Sequence, residues 1–390
     1  MENVVIVSSV RTPVGSFQGA LSSLSAPKLG ALAIREAVSR AGVNPDAVEE
    51  CIMGQVLTAG AGQAPARQAA LGAGLKNSTP CMTINKVCGS GLKAVMMAAD
   101  SIRLGHAQVV VAGGQENMTL APHLLENSRA GYRMGHSQMM DSMIKDGLWD
   151  PYNNWHMGNA SELCARDYKF TREAQDEFAI GSYKKAQKAA ESGAFAKELM
   201  AVTLEGKEKV TVSADEEPTK ARFDKIPTLR PAFDKEGTIT AANASKINDG
   251  AAAHVLMSES RAKELGVKPL ARVIAQGTFA QDPKWFTTAP VGAMKKALQN
   301  ANLKVSDIDL WEINEAFANV TMAAAKDLEI PFEKINVHGG AIAIGHPIGA
   351  SGARILATLV HALHTHNKKR GLASLCIGGG EGVALIIERI

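Results

Sequence analysis

Two thiols and one histidine stand in glycine-rich surroundings, a combination suited to nucleophilic attack and proton transfer. Cys88 lies in "NKVCGSGLKAVMMAAD", after an apolar stretch and at the mouth of an amphipathic helix carrying Met96, Met97 and Ile102 at helical spacing. A thiol at a helix N-terminus feels the positive end of the helix dipole and ionises more readily. Gly89 and Gly91 leave room for a substrate to approach the backbone. The other reading of Cys88 is a small buried hydrophobe, a common fate of free cysteine. His346 lies in "GGAIAIGHPIGASGAR" (339–354), with Pro347 stiffening the turn beside it. That loop lacks the Lys-Ser/Thr ending of a phosphate-binding P-loop and the glycine spacing of a dinucleotide fingerprint. Its imidazole is therefore the distinctive group, able to take a thiol proton, to donate to an oxyanion, or to serve as a hydrogen-bonded structural residue. Cys376, in "LCIGGGEG", ends a strand and opens a glycine turn whose N–H groups can converge on an anionic oxygen. In "WEINEAFA" (311–318), Asn314 and Glu315 sit among apolar residues, and a buried asparagine is either a turn residue or the holder of a water.

The elements that must position these groups alternate between β-branched runs and alanine-rich helical stretches. "NVVIVSSV" (3–10) predicts a buried strand, and "APKLGALAIREAVSRAG" a helix ended by Gly42. "VVVAGG" (109–114) and "ASLCIGGG" (373–380) predict strands running into glycine turns. This alternation is that of an α/β protein with largely buried sheets. The chain also echoes itself. Residues 35–54 align without gaps to 295–314, and residues 89–114 resemble 350–380, each with Ser-Gly, a helix, a strand and a glycine turn. Two similar halves are the simplest reading. Between them, 118–170 is rich in Met, Asn, His and Tyr, and 205–236 is polar and charged, so roughly 118–248 reads as an insertion that covers a site. "DGAAAHVLMSES" (249–260) predicts a strand returning to the first half.

Composition narrows the class. The chain has 390 residues, 46% hydrophobic and 21% charged, with 42 Lys and Arg against 39 Asp and Glu for a net charge of +3. That balance gives no strong field for nucleic acid or a membrane surface, so any anion-binding patch must be local. No window approaches the ~20 apolar residues of a membrane span, and the first residues lack the basic start of a signal peptide. The cysteines (Cys51, Cys81, Cys88, Cys164, Cys376) are odd in number and form no C-x-x-C pair. The expectation is a reduced cytoplasmic protein, or a mitochondrial matrix protein with its presequence removed.

Taken together, these stretches closely resemble the thiolase family, over essentially the whole chain. The matching segments are "RTPVGSFQGAL", "GQAPARQAALGAGL", "TINKVCGSGLKAV", "VVAGGQENM", "HMGNASE", "AANASKINDGAAA", "NEAFA", "GGAIAIGHPIGASGARI" and "LCIGGGEG". The similarity is strongest to the short-chain acetoacetyl-CoA thiolases, acetyl-CoA C-acetyltransferases. The resemblance implies a thiolase fold: two βαβαβαββ halves in a five-layered α/β/α/β/α body plus an inserted loop domain. The boundaries expected are 1–117 with 249–270 for the first half, 118–248 for the insertion, and 271–390 for the second half. It implies reversible Claisen condensation of two acetyl-CoA to acetoacetyl-CoA and CoA, with coenzyme A as substrate and product and no prosthetic group. Cys88 would be the nucleophile that takes the acetyl group and His346 its base. Cys376 would move the proton at the substrate α-carbon. Asn314 would hold a water forming one oxyanion hole with His346, while the N–H groups of Cys88 and Gly378 form the other.

The same resemblance places CoA contacts at Lys220, Arg222, Lys225 and Ser245, and lines the pantetheine and acyl pocket with His156, Met157 and Phe317. The "HMG" triplet favours the short-chain class over long-chain degradative thiolases. Phe286 resembles a subgroup that accepts 2-methyl-branched substrates, although Thr287 stands where that subgroup often has proline. The mitochondrial-type enzymes hold a potassium ion with a tyrosine and backbone carbonyls, and Tyr183, Ala241, Ala242, Ala244 and Ile342 match those positions. Tight dimers paired into tetramers are implied. The rival readings are a broader 3-ketoacyl-CoA thiolase and a catalytically silent thiolase-like carrier. A β-ketoacyl synthase, which pairs its cysteine with two histidines, is disfavoured by Cys376.

Overall fold

The computed structural model describes residues 2–206 and 209–390. Its long strands are β1 (Val4–Arg11), β2 (Glu50–Gly54), β3 (Cys81–Ile84), β4 (Val109–Asn117), β5 (Asn248–Ser258), β6 (Ala271–Ala280), β7 (Leu310–Ile313), β8 (Arg370–Ile377) and β9 (Glu381–Arg389). The main helices are α1 (Ala26–Ala41), α2 (Pro65–Ala73), α3 (Ser90–Arg103), α4 (Met157–Tyr168), α5 (Arg172–Glu191), α6 (Ala289–Ala301), α7 (Ala318–Leu328) and α8 (Ile348–Thr365).

Strand order across the first half is β3-β2-β4-β5-β1 and across the second is β7-β8-β9-β6. In each half the inner crossovers are parallel and the last two strands antiparallel. The halves therefore share one topology, with one departure. The third strand of the second half is reduced to a single bridge, Ile335 against Trp311. The two sheets join edge to edge where Val5 and Ile6 of β1 pair with Arg272 and Ala271 of β6.

Helices α3 and α8 fill the space between the sheets, and a single apolar cluster draws on both helices and on strands of both halves. A second cluster packs α1 and α2 on the outer face of the first sheet. A third packs α6 and α7 on the outer face of the second. These are the five α/β/α/β/α layers expected from the resemblance. The central position explains why α8 is apolar nearly all round and buried from Ile348 to Leu363, since it meets a sheet on either side.

Glycines set how closely these layers approach. A Cβ on Gly91 would lie 2.7 Å from the Ala353 nitrogen, and one on Gly352 would lie 2.3 Å from the Leu92 nitrogen. The N-terminal turns of α3 and α8 thus meet backbone to backbone, at the Ser-Gly pairs that the internal repeat shares. Gly113 and Gly114, expected to form a turn, instead continue strand β4 to Asn117. The turn expectation fails because these glycines serve contact: a Cβ on Gly114 would lie 2.2 Å from the Gly349 carbonyl oxygen.

The region between β4 and β5 carries α4 and α5. Helix α5 packs on the short turn Ala341–Ile344 and on α7, and α4 also packs on α7. This brings the inserted segment over the end of the second sheet from which Asn314 and Cys376 project.

Candidate active site

The loop before α3 holds Cys88 in a strained presentation. Val87 takes φ +44°, a left-handed value that costs a β-branched residue about 1–3 kcal/mol. Its N–H donates to Asn85 Oδ1 at 2.9 Å, and its carbonyl accepts from the Ser90 hydroxyl at 2.7 Å. Ser90 Oγ also accepts from the Lys86 N–H at 2.8 Å, closing the loop on itself. Cys88 lines a cavity of about 260 Å³. Burial pushes its thiol up to about 12, the neighbouring Glu116 adds to this, and the N–H groups of Gly378 and of Cys88 itself offset only part. This runs against the expectation of a readily ionised thiol, because desolvation outweighs the two backbone N–H donors.

His346 enters the same cavity from the loop before α8. Gly345, at φ +118°, turns the chain, and the His346 N–H donates to Asn248 Oδ1 at 2.9 Å. Asn248 Nδ2 in turn donates to the Gly15 carbonyl at 2.9 Å, tying this loop to the first half. The ring Nδ1 lies 2.5 Å from Ser351 Oγ, and the Ser351 hydroxyl donates to the Pro347 carbonyl at 2.9 Å. Ser351 therefore accepts from Nδ1–H, which leaves Nε2 bearing the lone pair. That Nε2 has no partner among the described residues. Burial drives the imidazole down to about 3, with the Arg354 charge adding to it. At neutral pH the pair is thiol and neutral imidazole.

Cys376, at the end of β8, is fully buried in an apolar cluster with Met157, Phe286 and Phe317. Burial, then the neighbouring Cys88, hold its thiol well above the ordinary range. Asn314 follows β7, and its N–H donates to the Ser374 carbonyl at 3.0 Å. Its side-chain amide is buried with neither atom paired among the described residues, which costs about 1–3 kcal/mol unless a water satisfies it. Gly378 lines the cavity with Cys88 and His346, and Cys376 packs against its lining residues Met157, Phe286 and Phe317.

The other walls come largely from the inserted segment. His156, stacked on Phe233 at 4.7 Å, caps α4 by accepting the Gly158 N–H at Nδ1, and burial lowers its pKa. Met157, Phe286, Phe317 and Ser245 complete the cavity. The Ser245 N–H donates to the Ala316 carbonyl at 2.9 Å, strapping the end of the insertion to the second half. Phe233, Ala244, Ser245 and Lys246 also line the groove that leads outward to Lys220. Beyond it, Lys220, Arg222 and Lys225 line one further depression beside Tyr183, Ala241 and Ala242. Arg222 and Lys225 both lie near exposed Asp224, at 3.6 and 4.0 Å. Such exposed pairs are weak and readily exchanged for a phosphate.

The carbonyl set matched to a potassium ion is engaged by protein instead. Lys246 Nζ donates to the Ala244 carbonyl at 2.9 Å and to the Ile342 carbonyl at 3.3 Å, and lies 5.5 Å from the centre of the Tyr183 ring. A resident potassium ion does not fit this donor set, because the lysine ammonium already holds two of its carbonyls and the face of its tyrosine.

Comparison with known sequences and structures decides the family. The model of the thiolase N-terminal domain matches residues 4–260, and that of the thiolase C-terminal domain matches residues 267–389. The chain belongs to the thiolase family. An acetyl-CoA acetyltransferase of Cupriavidus necator is 56% identical over 392 residues, covering 100% of both chains. One from Escherichia coli is 52% identical over 393 residues, again covering 100% of both. A crystal structure of a thiolase from Ascaris suum in complex with coenzyme A superposes with a TM-score of 0.96 at 44% identity, covering 100% of each chain.

Several residues that build this thiolase site escape a reading of single motifs. Glu116 is buried and accepts from the N–H groups of Val56, Leu57 and Gly349, at 3.0, 3.2 and 2.9 Å, joining β4 to the start of α8. Burial lifts its pKa to about 7 against those three donors. Asn248, Ser351, Phe233 and Lys246 are the others. Glu116, Asn248 and Lys246 stand in the segments "GGQENM" and "SKINDG", where an uncommon cluster of amide and acid groups among apolar residues is the available signal.

Proposed function

We propose that this protein is an acetyl-CoA C-acetyltransferase, condensing two acetyl-CoA into acetoacetyl-CoA and CoA through an acetyl-cysteine intermediate. The observation that carries this reading is the convergence of the Cys88 sulfur, the free His346 Nε2 and the N–H groups of Gly378 and Cys88 on one apolar cavity. Full-length relatives named acetyl-CoA acetyltransferase support the same assignment.

The reaction follows from the protonation states. Cys88 Sγ attacks the acetyl carbonyl carbon while its proton passes to His346 Nε2, and the oxyanion faces the two backbone N–H groups. Collapse breaks the thioester bond to CoA, and the CoA thiolate takes the proton of Cys376. The Cys376 thiolate, a strong base because it is buried, then removes a methyl proton from a second acetyl-CoA. The resulting carbanion attacks acetyl-Cys88, and the released Cys88 thiolate recovers its proton from His346. A water held by Asn314 with His346 Nε2 would form the second oxyanion hole. Lys220, Arg222, Lys225 and Ser245 would hold CoA along the outer groove, with its acyl end against His156, Met157, Phe286 and Phe317.

The strand order supports a domain division into 1–117 with 249–270, 118–248 and 271–390. Exposed apolar side chains at Leu120, Leu125, Tyr132, Met134 and Met139 of the insertion support assembly into a dimer of dimers. No described helix is long and apolar enough to cross a membrane, and we assign the protein to the cytoplasm or the mitochondrial matrix. The deciding experiment is intact-protein mass after brief incubation with acetyl-CoA. One acetyl adduct in the wild type and none in Cys88→Ala establishes the nucleophile. No adduct in either, with longer acyl-CoAs acylating the wild type, would replace this reading by a broader 3-ketoacyl-CoA thiolase.

A further inference from the structure

The Ala241–Lys246 loop and the Ala341–Ile344 turn aim two backbone carbonyls, Ala244 and Ile342, at one point beside the Tyr183 ring. Converging carbonyl oxygens repel one another unless a positive charge or a donor stands between them. Here the charge belongs to the chain itself. We propose that the Lys246 ammonium is a built-in cation, standing where a monovalent metal ion would otherwise bind and locking the CoA-side loop to the turn that leads into His346.

The surroundings are built for such a charge. Ile342 is held on both sides: its N–H donates to Glu315 Oε2 at 3.2 Å while its carbonyl accepts from Lys246. Glu315 is itself fixed by the Ser182 hydroxyl at 2.6 Å and Asn336 Nδ2 at 2.8 Å. Ser182 precedes Tyr183 on α5, so one helix supplies both the aromatic face and the clamp on Glu315. An ammonium has three donors; two meet carbonyls and the third side faces a ring whose quadrupole favours a cation. Lys246 also lines both the cavity of Cys88 and the outer groove, so its tether fixes Ser245 at their junction. A tethered cation needs no occupancy from solution, and its loop is ordered at any potassium concentration. Lys246 is a positioning residue, acting through the two loops it joins.

The test needs no turnover, so it stands apart from the assignment of the reaction. Thermal unfolding and calorimetric CoA binding would be measured on the wild type in potassium, sodium and choline chloride at equal ionic strength. Lys246→Gly, which removes the ammonium and opens its space, would be run beside it. The wild type is expected to give the same midpoint and affinity in all three salts. The variant should bind CoA roughly tenfold more weakly in choline, the scale of a lost charge-assisted hydrogen bond, and should recover affinity and midpoint in potassium. A wild type stabilised, or tightened for CoA, by potassium over choline would overturn the proposal, since the carbonyls would then be choosing the metal over the lysine. A folded variant with undiminished CoA affinity in choline would overturn it equally. Should the glycine variant fail to fold, the wild-type salt series alone decides.

Discussion

Cys88 and His346 line one cavity as thiol and neutral imidazole, states set by desolvation. A thiol pushed up to about 12 stays protonated throughout the neutral range, and its thiolate fraction grows about tenfold per pH unit below that value. Carbamidomethylation of Cys88 in the free enzyme should therefore accelerate steadily from pH 7 to 9 without levelling, followed by peptide mass spectrometry. A plateau near pH 7 would mean that the helix dipole and His346 prevail over burial. The two thiols should separate cleanly by function. Cys376→Ser is expected to acetylate Cys88 and yet lose condensation, because a serine hydroxyl is too weak a base for the α-proton. Failure of that variant to acetylate would reverse the division of labour between the thiols. Asn248→Ala removes the acceptor that fixes the His346 N–H and the donor to Gly15. It should lower kcat by about 10–100-fold, the scale of a misplaced catalytic group, with the Cys88 alkylation profile unchanged.

Elements deliver these residues in pairs. Helices α3 and α8 meet at Gly91 and Gly352, with Cys88 just before one N-terminus and His346 just before the other. The same close approach that packs the core sets the separation of the loops that carry Cys88 and His346. A methyl at Gly352 would lie 2.3 Å from the Leu92 nitrogen, so Gly352→Ala must push the helices apart. Overpacking of this kind costs roughly 1–3 kcal/mol, and the variant should show both a lowered urea midpoint and a reduced rate of Cys88 acetylation. Retained acetylation at lowered stability would show that the loops, and not the helix contact, set the site.

At the scale of the whole molecule, the halves are joined by two residue pairs between β1 and β6 and by a core to which both contribute. Neither half can bury α3 or α8 alone. Unfolding in urea should accordingly be a single transition by both tryptophan fluorescence and circular dichroism, with coincident midpoints. Resolved transitions would show that the halves hold separate cores. The topology also explains the insertion, which leaves the first half between β4 and β5 yet closes over residues of the second. The cavity at that junction draws Cys88 from the first half, His346 and Gly378 from the second, and most of its other walls from the insertion.

Much of this was legible in the sequence. The alternation of strand and helix, the internal repeat and the glycine-bordered Cys88, His346 and Cys376 are local patterns, set by side-chain period and backbone freedom. The repeat even marked the Ser-Gly pairs at which α3 and α8 touch. What only the tertiary structure decided depends on distance between segments remote in the chain. The apolar cavity around half-buried Cys88 pushes its thiol up, where the helix start alone pointed the other way. Gly113 and Gly114 became strand because the Gly349 carbonyl lies against them, a contact no local pattern encodes. The lysine of "SKINDG" became a cation at the Ala244 and Ile342 carbonyls for the same reason. A side chain's charge is written in the sequence, but the field and the partners it meets are fixed only when distant segments close around it.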